Sequence, residues 1–171
     1  FTRTFLIRYE KFRGKGRTTA LDSLDDINLQ SLALIVDDGA NGRIEYSTAI
    51  DITRSADNNN KIVDLDSNIN IEQNRIEINS SALTEFNKNA RISFYNVSFS
   101  NPRILRDGFV CDACTRVSYE SGVLTYNVPG FSAYTIEETL TVPTSGPSGG
   151  DGSGGGGGGG GSYTPRQQNA T

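Results

Sequence analysis

The residues with the plainest chemical potential are Cys111 and Cys114, the only cysteines of the chain, set in the C-x-x-C sequence Cys111-Asp112-Ala113-Cys114. Two thiols so placed suit zinc ligation, thiol–disulfide exchange or a local disulfide. A structural zinc site wants four Cys or His ligands. The chain has no His and no third Cys, so no metal site is expected here. A redox pair of the thioredoxin kind wants its first Cys at a helix N-terminus, where the thiolate is favoured. Here the flanking residues read as strands. The third reading is a disulfide stapling a β-turn, which stabilises by about 2 kcal/mol for so small a loop. An even cysteine count also suits an oxidising compartment.

The carboxylates come next. Asp64, Asp66 and Asn68 stand at D-x-D-x-N spacing, as in the first half of an EF-hand loop. The likeness ends there, because position six is Ile69 instead of Gly and position twelve is Arg75 instead of Glu. Asp22, Asp25 and Asp26 would hold calcium only with ligands from elsewhere in the fold. The absence of His removes Ser-His-Asp and Cys-His catalysis. Paired carboxylates remain open as chemistry, but no acidic cluster stands out. The expectation is a chain with no catalytic residues and no cofactor.

Three Asn-x-Ser/Thr triplets offer glycosylation sites: Asn79-Ser80-Ser81, Asn96-Val97-Ser98 and Asn169-Ala170-Thr171. Asn79, at a strand end, is the better placed. Asn96 alternates with Phe94 inside a strand-like run, which argues against its use. Tyr119, Tyr126 and Tyr134 would suit carbohydrate if they formed an exposed row, although strand aromatics are more often core. Arg106-Asp107-Gly108 reads as a hairpin turn in which Gly supplies positive φ.

The elements that must position these residues are strands. Period-two alternation bounded by turn residues is the dominant pattern. Phe5, Ile7 and Tyr9 alternate, then Leu32, Leu34 and Val36. Asn41-Gly42 is a strong turn dipeptide, followed by Ile44 and Tyr46, with Ile50 and Ile52 beyond. Shorter β-like pieces are Ile62 to Leu65, Ile69 to Ile71 and Ile76 to Ile78. Arg91 to Phe99 is apolar on both faces, with Tyr95, Val97 and Phe99 on one and Ile92 and Phe94 on the other, as in a central strand. Arg103 to Leu105, Phe109-Val110, Arg116 to Tyr119, Val123 to Val128 and Phe131 to Ile136 complete the set. Helix is suggested only at Thr19 to Gln30, behind Thr19 or Asp22 as caps, and for one turn within Ser81 to Asn87. The predicted fold is mostly β, an antiparallel β-sandwich or, alternatively, a β-roll, with few or no helices.

Residues 1–141 are expected to form this domain, with a candidate N-terminal subregion at 1–40. Residues 142–162 are almost all Gly, Ser, Pro and Thr, with eight consecutive glycines from Gly154 to Gly161. Glycine loses most freedom on folding and has no side chain to bury, so this stretch reads as a linker, roughly 25 Å long as a Gly-rich coil. Residues 163–171 would be a tail or the start of a following segment. No signal-peptide pattern precedes Phe1, so the chain reads as a processed protein or a piece of a longer one. The net charge is −4 among 171 residues, with basic and acidic side chains interspersed. Neither a cationic face for nucleic acid nor an apolar run of ~20 residues for direct membrane insertion is present.

The segments GRIEY (Gly42 to Tyr46), NRIEINSSAL (Asn74 to Leu83), NKNARISFYNVSFSNPRILRDGFVC (Asn87 to Cys111), CTRVSY (Cys114 to Tyr119) and GVLTYNVPGFSAYTIEE (Gly122 to Glu138) carry a family likeness. The most specific parts are NPRILRDG-x-x-C and the closing F-S-x-Y. This pattern resembles a β-domain of large secreted or cell-surface proteins from archaeal genomes, especially uncultivated small-genome lineages. The resemblance implies an extracellular location beside repeat, β-helix or lectin-like modules, joined by Gly-rich linkers. It implies no activity. The function expected is a non-catalytic structural or adhesive module whose partners are neighbouring modules or other cell-surface proteins. A polysaccharide-binding accessory domain and a C-x-x-C redox domain are the alternatives.

Overall fold

The computed structural model describes residues 3–140. The expected linker at 142–162 and tail at 163–171 lie outside these residues. Twelve strands are described: β1 Leu6–Arg8, β2 Ile35–Asp37, β3 Gly42–Glu45, β4 Ile62–Asp64, β5 Ile69–Glu72, β6 Arg75–Ile78, β7 Ala90–Phe94, β8 Pro102–Arg106, β9 Phe109–Val110, β10 Thr115–Glu120, β11 Val123–Val128 and β12 Ala133–Glu138. Two one-turn helices join them, α1 Asp26–Leu29 and α2 Leu65–Asn68.

The strands form an antiparallel β-sandwich. One sheet has the order β10-β11-β7-β3-β2 and the other β5-β6-β12-β8-β9. The alternation read from the sequence sets the faces. Ile44, Tyr46, Ile92, Phe94, Leu124, Tyr126 and Val128 point inward from the first sheet, and Ile69, Ile76, Ile78, Ile104, Tyr134 and Ile136 from the second. A separate parallel pair, β1 with β4, packs Ile7 and Val63 into the same core. Residues 3–40 contribute to the same core through Tyr9, Phe12, Leu21, Leu29, Leu34 and Val36.

An aromatic chain ties the layers together. Tyr46 meets Phe86 edge-on at 6.0 Å and Phe131 at 5.8 Å, and Phe131 meets Tyr134 edge-on at 6.1 Å. Such geometry sets ring edges against ring faces of opposite charge. Both tyrosine hydroxyls of this aromatic chain also find an acceptor. Tyr46 donates to the Phe86 carbonyl at 2.7 Å, and Tyr134 donates to the Gly130 carbonyl at 2.6 Å.

Several local expectations need correction. The strand expected from Arg91 to Phe99 ends at Phe94, because Asn96 takes a left-handed φ of 54°. It is nevertheless the central strand of its sheet. Ile52 opens a 3-10 turn capped by Asp51, so it is not in a strand. The Asn41-Gly42 turn is built differently: Gly39 carries the positive φ, and Gly42 is the first residue of β3. A Cβ at Gly42 would stand 2.6 Å from the Ser93 carbonyl oxygen. The helix expected over Thr19 to Gln30 reduces to a 3-10 turn at Leu21–Ser23 and to α1, whose cap is Asp25. Thr19 instead pairs with Ile35, through both its N–H and its hydroxyl.

Candidate functional site

The C-x-x-C lies where the chain changes sheets. β9 is the edge strand of one sheet and β10 the edge strand of the other, and only residues 111–114 separate them. Cys111 and Cys114 form a disulfide with a Cα–Cα distance of 5.4 Å. The Cys114 N–H donates to the Cys111 carbonyl at 3.2 Å, closing a turn, and the Cys111 N–H donates to Ile104 of β8 at 3.1 Å. Cys111 is buried and Cys114 half-buried. No helix begins at this turn, so the helix-terminus field that lowers a redox thiol's pKa is missing.

The acidic residues singled out by spacing are each engaged within the fold, all but Asp22 with backbone N–H groups. Asp64 caps α2 by accepting from the Ser67 N–H at 3.0 Å. Asp66 accepts from the N–H groups of Glu10 and Lys11, each at 2.9 Å, and so ties the segment after β1 to α2. Asn68 donates to the Asp64 carbonyl. Asp22 accepts from the Tyr9 hydroxyl at 2.7 Å, Asp25 caps α1, and Asp26 accepts from Thr4 and Phe5. Burial pushes Asp26 up, yet the N–H groups of Thr4 and Phe5 leave it below its usual range. Among the described residues no cluster of three metal-binding side chains occurs.

Asn79 is exposed, with its amide donating to Asn68 at 3.1 Å. Asn96 is exposed as well and lies outside β7, so the strand argument against it does not hold; its amide donates to the Ala40 carbonyl at 3.0 Å. Asn169 lies outside the described residues. The tyrosines do not form an exposed row. Tyr126 is 5% exposed in one sheet and Tyr134 is 0% exposed in the other. Tyr119 is half-buried, with its hydroxyl donating to the Phe99 carbonyl at 2.6 Å. Alternation reports which side chains share a face but not which face is inside.

The concavity that the fold does build was not visible in the sequence. Thr115 of β10, Asn127 of β11, Arg91 of β7 and Glu45 of β3 are successive cross-strand partners. They form one row across the outer face of the first sheet, roughly 14 Å long at the usual strand spacing. They floor a cleft of ≈ 450 Å³, walled by Ser47 and Asn89 on one side and by Ala113 of the disulfide turn at the β10 edge. Glu45 turns to Arg43, two residues along its own strand, at 3.4 Å. Arg91 is exposed and has no carboxylate partner among the described residues. A second concavity, beside Asn79, has Lys11 on its rim, but that ammonium already donates to the carbonyls of Asp66 and Ile69. Among the described residues no helix is long and apolar enough to cross a membrane. In comparisons with protein-family models, curated proteins and solved structures, nothing matches this chain.

Proposed function

We propose that this protein is a non-catalytic structural module of a multi-domain extracellular or cell-surface protein, which spaces or joins neighbouring modules. The observation that carries the reading is the Cys111–Cys114 disulfide at the crossing between sheets. Disulfides persist where the surroundings are oxidising. This one uses both thiols in a turn that has no redox machinery beside it. The engagement of Asp25, Asp26, Asp64 and Asp66 with backbone N–H groups, and of Asp22 with the Tyr9 hydroxyl, supports the same reading, since those carboxylates hold loops in place. The Gly-rich sequence from Pro143 to Ser162 is in keeping with a modular chain.

The test is the intact mass of the protein from the cells that make it, with and without reductant. The reading expects the unreduced chain to be lighter by two hydrogens, with a glycan increment if Asn79 or Asn96 is used. Two free thiols in the freshly isolated protein would overturn it.

A further inference from the structure

We propose that the cleft floored by Thr115, Asn127, Arg91 and Glu45 binds an acidic sugar, with the ligand's carboxylate on the Arg91 guanidinium. This goes beyond the structural reading and does not depend on it.

The cleft has the size of a small-ligand site, within the roughly 300–1,000 Å³ usual for such sites, at ≈ 450 Å³. Its lining differs from the apolar norm. Among the described residues no aromatic ring lines it, so they give a neutral sugar nothing to stack on, and recognition by them must come from hydrogen bonds and charge. Arg91 supplies the charge. Its register partner is Glu45, the natural neutralising group, yet Glu45 is paired with Arg43 instead. Among the described residues the guanidinium has no hydrogen-bond or carboxylate partner. A planar fork of N–H donors matches a carboxylate through two parallel bonds.

The groups around Arg91 suit hydroxyls. Asn127 and Asn89 each offer amide donors and a carbonyl acceptor, and Thr115 and Ser47 offer hydroxyls that both give and accept. A vicinal diol needs neighbouring groups of that mixed kind. A simple inorganic anion would leave the acceptors unused. One carboxylate plus several hydroxyls is the chemistry of a hexuronate. The site is held rigidly, since all four of its floor residues lie in paired strands and Ala113 sits between two bonded cysteines.

The experiment is a titration of the isotopically labelled full chain with galacturonate and glucuronate oligosaccharides, followed by amide NMR shifts. The uncharged glucose oligosaccharides of equal length serve as control. The proposal expects saturable shifts at Arg91, Ala113, Thr115 and Asn127 with the acids and none with the neutral sugars. Arg91→Gln should weaken binding by roughly tenfold or more, the size of a lost charge-assisted hydrogen bond, with its spectrum otherwise unchanged. Absence of shifts with both acids, shifts centred elsewhere such as around Asn79, or equal binding of neutral sugars would each overturn it. The mass test of the structural reading is indifferent to all of these results.

Discussion

Asp37 sits where an unpaired acid would be costly, 2% exposed. Its carboxylate accepts from the Arg17 N–H at 3.0 Å, the Gly39 N–H at 2.8 Å and the Tyr95 hydroxyl at 3.1 Å. One side chain thus fastens the segment around Arg17 and the turn after β2 to the face of the sheet. Asp37→Ala leaves those donors without their acceptor, and we expect a loss of about 3 kcal/mol, read as a lower urea midpoint at unchanged slope. Gly42→Ala should also destabilise, by roughly 1–3 kcal/mol, because the new Cβ would press on the Ser93 carbonyl 2.6 Å away. Tyr95 adds a pH dependence. Burial above all, and then the Asp37 charge, push its pKa from 10.0 to about 12. The folded state holds the phenolic proton after the unfolded chain has lost it. Stability contributed at neutral pH is therefore fully present below pH 10 and falls as pH rises from about 10 to about 12. Tyr46, raised well above its usual value by burial, reinforces the trend. Urea midpoints at pH 9 and pH 11 should show the fall, and Tyr95→Phe should make it shallower. An unchanged slope in that variant would remove Tyr95 from the account.

Two-residue hairpins are the elements most fully encoded in the local sequence. Asp107-Gly108 joins β8 to β9, and Ser121-Gly122 joins β10 to β11. All four residues have positive φ, of 52°, 84°, 50° and 75° in chain order, which is the type I′ turn that matches strand twist. Gly122→Ala should cost about 1–2 kcal/mol, since an alanine resists the left-handed region, whereas Ser121→Asn should cost nothing or raise the melting temperature slightly. The two melting temperatures, compared with that of the parent chain, check the assignment. This explains what the sequence made legible. Turn signals with alternating apolar residues located ten of the strands closely, including both of these hairpins. The exceptions have physical causes. Arg91 to Phe99 alternates throughout, but the turn of the backbone at Asn96 is a tertiary matter: its amide reaches the Ala40 carbonyl from another loop. Gly42 looked like a turn residue, and its lack of a side chain is needed for close approach of strands instead. Tyr119, Tyr126 and Tyr134 would suit carbohydrate only as an exposed row, and alternation alone does not say whether such a row is exposed or core. The sheets that carry Tyr126 and Tyr134 face each other, so both rings are inside.

At the scale of the whole molecule the chain passes repeatedly between two sheets, and this both hides the candidate cleft from sequence and explains the place of the disulfide. Glu45, Arg91, Thr115 and Asn127 become neighbours only through strand order β10-β11-β7-β3, which periodicity does not contain. Cys111 and Cys114, three residues apart, were legible at once because their geometry is local. The staple pins the passage from β9 to β10, but it does not hold the sheets together. That task falls to one continuous core to which both sheets, the β1–β4 pair and the aromatic chain contribute. A chain with this much buried apolar surface does not depend on a disulfide for folding. The double variant Cys111→Ser, Cys114→Ser should therefore stay folded, with stability lowered by about 2 kcal/mol. Amide hydrogen exchange should speed up at β9, the turn and the start of β10, while the amides of Ile92 and Phe94 keep protection close to that of the parent. Unfolding of the double variant would place the staple, not the core, at the centre of stability. Unchanged exchange at the turn would mean that Cys111 N–H to Ile104 and the flanking pairs fix the corner without it.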